Sequence, residues 1–334
     1  MPRGIVDFHT HFYSTLYLTA LEGAESTEVW RRAHDNRLIC RWRGGVTLTV
    51  PQPHPGVNER LEMMDKLGIA TQVLSIPAPS VDFLSPPEAA NLSRQLNEGL
   101  ANICRDHPSR FGALAAIPMR DTDLALTALE DGIQELRLDG IMVLTNIAGM
   151  PLDDDRLEPI WQAANDWRLL VYVHPTIPND QNVDDYGLAM AVGFLGETTL
   201  GVSRLAYSGL FQRFPDIRWV FSHLGGTLPF ILPRIDNYYR RHPEMKEVLH
   251  RAPSEYIREQ IFDTASTHPP AIECAVQSLG AERLIFGSDY PHIEAGVAPF
   301  VDALRTIDAH DLGHSKWSDA VLSRGEILLA GDDI

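Results

Sequence analysis

Lysine is almost missing from this chain. Only Lys66, Lys246 and Lys316 stand among its 28 basic residues, against 45 acidic ones, and the formal net charge is −17. That balance excludes the basic face a nucleic-acid partner requires. Cysteine is equally scarce: Cys40, Cys104 and Cys274 are far apart and form no CxxC pair. This excludes both a disulfide framework and a thiolate zinc site, and it suits a reducing compartment. No run approaches the ~18 apolar residues of a membrane helix. The opening MPRGIVDFHT carries no apolar stretch of the kind that makes a secretory leader. A cytoplasmic protein with neither nucleic-acid nor membrane partners is expected. With 44% hydrophobic and 22% charged residues, the 334-residue chain has the composition of an ordinary globular protein.

What the chain does have is a recurring pair of patterns. Short β-rich apolar runs appear as GIVDFH, TQVLSIP, FGALAAIP, GIMVLTN, LLVYVHP, RWVFSHLGG, IFDTAS and LIFGSDYP. Between them lie stretches of helical period such as EAANLSRQLNEGLANICRDHP and LEPIWQAANDWR. Near-continuous apolar strands alternating with helices imply parallel strands buried on both faces. Eight such strands is the count of a (β/α)8 TIM barrel, an α/β fold. The competing doubly wound sheet calls for a glycine-rich turn after its first strand, where this chain has H-T-H-F. Residues 12–57 form an insertion after strand one, with LICRWRGGVTLTVP reading as a hairpin turning at Gly44-Gly45. It is placed where it can cover a pocket, because barrel sites lie at the C-terminal ends of strands. No repeat or linker is visible, so residues 1–334 are expected to form a single domain.

Chemistry-bearing residues collect at those strand ends. His9 and His11 alternate onto one face at the end of strand one. His174 ends strand five, His223 strand six and Asp289 strand eight. Others among the thirteen histidines, such as His107 and His242, sit before proline at helix ends and read as structural. Read alone, His223 is a buried histidine before a Gly-Gly turn and Asp289 the cap of a following turn; beside the other four residues each reads as part of the site. Three imidazoles and a carboxylate suit Zn²⁺ or a similar first-row ion. All three lysines lie in helix-like segments and the end of strand four offers none, which disfavours a lysine-bridged pair of metals.

These motifs, HTHF, VHP, SHLGG and FGSDYP, together with RFGALAAIPMRD, LDGIMV and RFPDIRWVFSHLGG, resemble the amidohydrolase superfamily. Within it the resemblance is to the branch related to aminocarboxymuconate-semialdehyde decarboxylase, with similarity also to 6-methylsalicylate decarboxylase. It implies that His9, His11, His174 and Asp289 hold one metal, most often Zn²⁺ with Mn²⁺ as the other choice. It also implies that His223 is the acid/base partner of the metal's water and that Asp289 shares in proton transfer. The activity implied is non-oxidative decarboxylation of a small aromatic or unsaturated carboxylic acid. A lactone or amide hydrolase, a hydratase, or a catalytically dead scaffold on the same barrel remain the alternatives. Arg234 in PRIDN matches a substrate-binding arginine contributed by the neighbouring subunit, which implies a homodimer, and Arg204 matches an arginine of other branch members. A second branch arginine has no counterpart in VTLTVPQPHPG; Arg41 and Arg43 lie upstream of its place. His292 and Trp42 are further pocket candidates.

Overall fold

The computed structural model describes residues 4–24, 27–31, 38–42, 46–50, 54–183, 185–293, 296–309 and 317–332. Eight parallel strands form the central sheet: β1 (Ile5–His11), β2 (Ile69–Ser75), β3 (Phe111–Ala116), β4 (Gly140–Leu144), β5 (Leu170–His174), β6 (Arg218–Phe221), β7 (Ile261–Asp263) and β8 (Leu284–Ile285). They neighbour one another in sequence order. The barrel closes where the chain after β8 runs beside β1, with Phe8 N donating to Phe286 O at 2.9 Å and His11 N to Tyr290 O at 2.7 Å.

Side-chain alternation divides the strands between two cores. Val6, Phe8, Val73, Leu114, Leu170, Tyr172 and Val220 fill the barrel interior. Their neighbours Leu74, Ala113, Val171, Trp219 and Phe221 pack outward against the helices. Both faces are therefore apolar, which is why the strands read as continuous hydrophobic runs. None of the described helices is long and apolar enough to cross a membrane.

The insertion after β1 holds more than one hairpin. A helix, Thr15–Gly23, is capped by Ser14, whose hydroxyl accepts from Tyr17 N at 3.1 Å. Three antiparallel strands follow: Thr27–Arg31, Leu38–Trp42 and Val46–Val50. Trp42 pairs with Val46, so the last two strands do form the expected hairpin. Arg43 and the Gly44-Gly45 turn lie outside the described residues, as do the side chains of Arg41 and Trp42.

Candidate active site

The ladder between β1 and β2 shifts register between Asp7 and Thr10, around His9, and His9 and His11 meet on the same side. Their Nε2 atoms are 3.1 Å apart. Each ring is held from behind through Nδ1. His9 Nδ1 lies 2.8 Å from Asp263 Oδ2. His11 Nδ1 lies 3.0 Å from the Ser75 hydroxyl, which spends its own hydrogen on Thr10 O and so accepts. His174 Nδ1 donates to Pro175 O at 2.7 Å. An acceptor at every Nδ1 fixes the proton there and leaves each Nε2 lone pair for the centre.

Asp289 completes the group. Its Oδ1 is 3.3 Å from His9 Nε2 and 3.1 Å from His11 Nε2. One donor atom from each of His9, His11, His174 and Asp289 falls within a span of 4.8 Å. His174 Nε2 and Asp289 Oδ1 are buried without a hydrogen-bond partner. Lone pairs facing one another at such distances repel unless a cation lies between them. Four donors at Zn–N and Zn–O bond lengths in a tetrahedron stand ~3.3 Å apart, close to the 3.1–3.3 Å between the donor atoms of His9, His11 and Asp289, with His174 within 4.8 Å of them. The donor set thus fits one divalent ion. The end of β4 presents Thr145 and Asn146, both bonded to Glu197, so no lysine stands there to bridge a second ion.

The electrostatics agree with this fit. Burial pushes His11 down to about 3 and His174 well below the usual imidazole range, so both rings are neutral ligands. Burial would also lower His9, but the Asp263 and Asp289 carboxylates outweigh it and raise it to about 10. Burial likewise opposes ionisation of Asp289, yet charge on His9 holds it well below the carboxylate range. A positive charge is held at this centre by two carboxylates; without an ion, a proton on His9 supplies it.

His223 stands beside the four, with Nε2 3.6 Å from Asp289 Oδ2 and its backbone N–H donating to Asp263 Oδ1 at 2.9 Å. His223, Leu224, Gly225 and Gly226 all have positive φ, as does Asp289. Left-handed backbone at three non-glycine residues costs roughly 1–2 kcal/mol each, and such strain gathers at functional sites. Gly226 is obligatory on a second count, since a Cβ there would lie 2.3 Å from Leu195 O. Side-chain exposure separates the roles: His9 and His11 are fully buried, whereas Asp289 and His223 keep 20% and 14% open. Both face a cavity of about 840 Å³, whose walls include Met190, Phe194, Leu195 and Phe300 and whose rim includes His292.

Two expected residues stand away from this chain's own cavity, Arg234 having been expected at a neighbouring subunit's site. Arg204 is engaged with Asp153 through two bonds of 2.7 and 2.9 Å, and it does not line the cavity. Arg234 is exposed on the helix Leu228–Arg241, also away from the cavity lining. Conversely, the motif reading passed over Asp263, which ends β7 and bonds His9, the Tyr172 hydroxyl and the backbone of His223. Its one signal in the sequence is an acid closing the apolar run IFD. Arg60 was passed over as well. Fully buried, it donates to His11 O and to Gln72 Oε1 at 3.1 Å, and Gln72 in turn bonds Asp7, which takes Ser288 N and Oγ. This chain of bonds ties the strand of His9 and His11 to the segment of Asp289.

The chain matches the family model described as amidohydrolase over residues 6–316. It is 32% identical to a gamma-resorcylate decarboxylase of Rhodococcus jostii, across 79% of this chain and 86% of that one. It is 30% identical to a 2-amino-3-carboxymuconate-6-semialdehyde decarboxylase of Dictyostelium discoideum, across 70% of this chain and 66% of that one. Among solved structures, the dihydroxybenzoic acid decarboxylase of Polaromonas sp., with bound manganese and 2-nitroresorcinol, superposes with a TM-score of 0.79 at 22% identity, covering 98% of this chain and 97% of that one.

Proposed function

The chain belongs to the amidohydrolase family, and from that membership we propose that it is a non-oxidative decarboxylase of a small aromatic carboxylic acid, dependent on one divalent metal ion. The observation that carries this reading is the convergence of His9, His11, His174 and Asp289 within 4.8 Å at an 840 Å³ cavity. These four hold the ion. The donor set suits Zn²⁺; Mn²⁺, bound in the Polaromonas enzyme, is the alternative. When bound, the ion supplies Lewis-acid stabilisation of negative charge on the substrate's oxygens.

The rest falls to the protein's own groups. Decarboxylation breaks the bond between the carboxylate and a ring carbon; CO₂ leaves, and the carbon that keeps the electron pair takes a proton. Of the cluster, His223 and Asp289 are the more open to the cavity, and the proton reaches the carbon through them, His223 as the acid and Asp289 as a relay. Asp263 holds the His223 backbone in place for the task. Met190, Phe194, Leu195 and Phe300 receive the ring and exclude water.

The same donor set can serve a lactone or amide hydrolase or a hydratase, since function resides in the site and not the barrel. The decarboxylases matched over most of their length disfavour those readings. The complete donor set disfavours an inert scaffold. A homodimer in the cytoplasm completes the proposal. Arg234 shares one helix face with Phe230, 83% exposed, and Tyr238, 54% exposed, four residues to either side. A second copy covers that apolar face and takes Arg234 toward its own substrate carboxylate, a role that bidentate guanidinium suits. Arg204, committed to Asp153, is left with the ion pair.

The test is to load the protein with Zn²⁺ or Mn²⁺ and offer hydroxybenzoic, methylsalicylic and muconate-type acids beside simple lactones, following CO₂ release and ring opening in parallel. CO₂ release that falls roughly 10²-fold or more in His223→Ala, with the metal still bound, is the expected result. Lactone opening without CO₂ overturns it.

A further inference from the structure

One wall of the cavity is a single stretch of chain. Met190, Ala191, Phe194 and Leu195 all line the cavity, and they belong to the π-helical turn Ala189–Gly193 and the start of the helix Phe194–Tyr207. Phe194 sets its ring edge-on to His174, with centroids 6.1 Å apart. The stretch is packed into neither barrel core. Ile177, Ala189 and Phe194 make a small apolar cluster of their own, with Val183 against it. So few buried apolar contacts hold a segment weakly, and a wall in fixed register needs a further tie to the barrel.

Glu197 supplies that tie. It stands half-buried, three residues along the helix from Phe194, and its Oε2 lies 2.6 Å from Asn146 Nδ2 and 3.2 Å from Thr145 Oγ1, just past β4. The other partners of these two residues fix the polarity of both bonds. Asn146 Oδ1 accepts from Gly149 N at 2.8 Å, so the amide nitrogen is the atom turned to Glu197. Thr145 Oγ1 accepts from Thr176 N at 3.2 Å, so its own hydrogen goes to Glu197. Two donors therefore converge on one carboxylate oxygen. Through Thr176, two residues past His174, the same network holds the chain that leaves β5. One turn beyond Glu197, a Cβ on Gly201 would lie 3.3 Å from Thr145 Cγ2, so the helix rests directly on the end of β4. The helix has a second, separate tie to the turn after β6, where Thr199 Oγ1 accepts from Thr227 N at 2.8 Å.

We propose that Glu197 is a positioning residue: by clamping the helix Phe194–Tyr207 to the end of β4, it sets how closely the wall of Phe194 and Leu195 approaches the metal cluster, and so the fit of a bound acid's ring. Glu197 itself does not line the cavity and acts through the wall. The proposal rests on the reading of this cavity as the seat of an aromatic acid.

Three variants separate positioning from mere support. Glu197→Ala removes the acceptor. Glu197→Gln keeps an oxygen that can take both hydrogens. Gly201→Ala leaves the carboxylate untouched and wedges the helix off Thr145, while alanine favours the helix itself. On the metal-loaded proteins, hydrogen exchange reads protection over residues 187–200 and calorimetry reads Kd for benzoate. In Glu197→Ala, exchange over that stretch speeds up and Kd is expected to rise roughly tenfold. Metal affinity, by competition with a chelator, stays unchanged, because Glu197 bonds none of the four ligands. Glu197→Gln restores Kd to within roughly threefold of native. Gly201→Ala raises Kd without lowering Tm, a combination that a purely supporting role does not produce. For an acid that is turned over, the change falls on KM and leaves kcat within roughly threefold. An unchanged Kd in Glu197→Ala, or a metal affinity that falls with it, overturns the proposal. If Glu197→Ala does not fold, Gly201→Ala decides, and an unchanged Kd there overturns it equally. Should residues 187–200 loosen while neither native protein nor variant binds benzoate or releases CO₂ from any acid, the reading of the cavity fails and the clamp stands. CO₂ release with a native KM in Glu197→Ala sinks the clamp alone.

Discussion

Asp263 serves two residues with different tasks. Its Oδ2 holds the His9 ring through Nδ1, and its Oδ1 accepts from the backbone of His223 and of Ala265. Charge on His9 and hydrogen bonds keep this buried carboxyl ionised even though burial opposes it. Asn at this position can still accept from the two backbone N–H groups, but its amide meets the Nδ1–H of His9 donor to donor. The His9 tautomer is then no longer set, and its Nε2 lone pair is no longer reserved for the centre. Asp263→Asn is expected to weaken metal binding by ~10–100-fold, measured by competition with a chelator. His223→Ala, by contrast, leaves metal affinity near its native value, because that ring contributes no atom to the four-residue group.

At the scale of elements, the strands were readable because each is buried on both faces and so carries an unbroken apolar signature. The residues at their C-terminal ends then fall together by topology alone, which is how His9, His11, His174, His223 and Asp289 could be grouped from sequence. The insertion was less legible. Its strand Thr27–Arg31 and helix Thr15–Gly23 are short pieces with no parallel partner to mark them. Arg60 was hidden for the opposite reason: an arginine in an amphipathic helix reads as solvated, and only the tertiary structure shows it buried on the carbonyl of His11. Close approach of strands is equally silent in sequence. Gly287, in the FGSDYP segment, is so near the centre that a Cβ there would lie 2.7 Å from His9 Cβ and 3.0 Å from Asp263 Cβ. Neither neighbour can swing away, since each is buried and bonded to the other. Gly287→Ala should therefore push β1 from β7, costing about 1–3 kcal/mol in urea unfolding and lowering metal affinity in the same protein.

For the whole molecule, the proton and the metal compete for one place, and stability should record the competition. In the metal-free protein His9 is raised to about 10 from an ordinary value of 6.5. A group raised on folding stabilises most below its unfolded pKa, and that contribution disappears as pH rises through the folded value. Metal-free protein should therefore lose stability between pH 6.5 and about 10. Asp7 and Asp82, lifted by burial to about 6 and about 7, act in the same sense, but their effect is complete by roughly pH 8. From there to about pH 9 the loss is that of His9; above it Cys40 and Cys104, lifted by burial to about 11 and about 12, add to it in both the metal-free and the loaded protein. Metal binding displaces the His9 proton, so the ion's affinity rises about tenfold per pH unit over that interval. The gain in binding offsets the loss in the metal-free protein, because both originate in the same proton. Thermal unfolding followed from pH 8 to 9 should show a falling Tm after chelation and a nearly level one with Zn²⁺ or Mn²⁺ in excess. Below pH 6.5 the slopes exchange: the metal-free curve no longer changes with His9, while the loaded protein loses its advantage and falls toward it as protons win the site. Parallel curves for the two forms across the alkaline interval would mean that the ion does not bind at the nitrogen where the proton sits, and the assignment of His9 as a ligand would have to be abandoned.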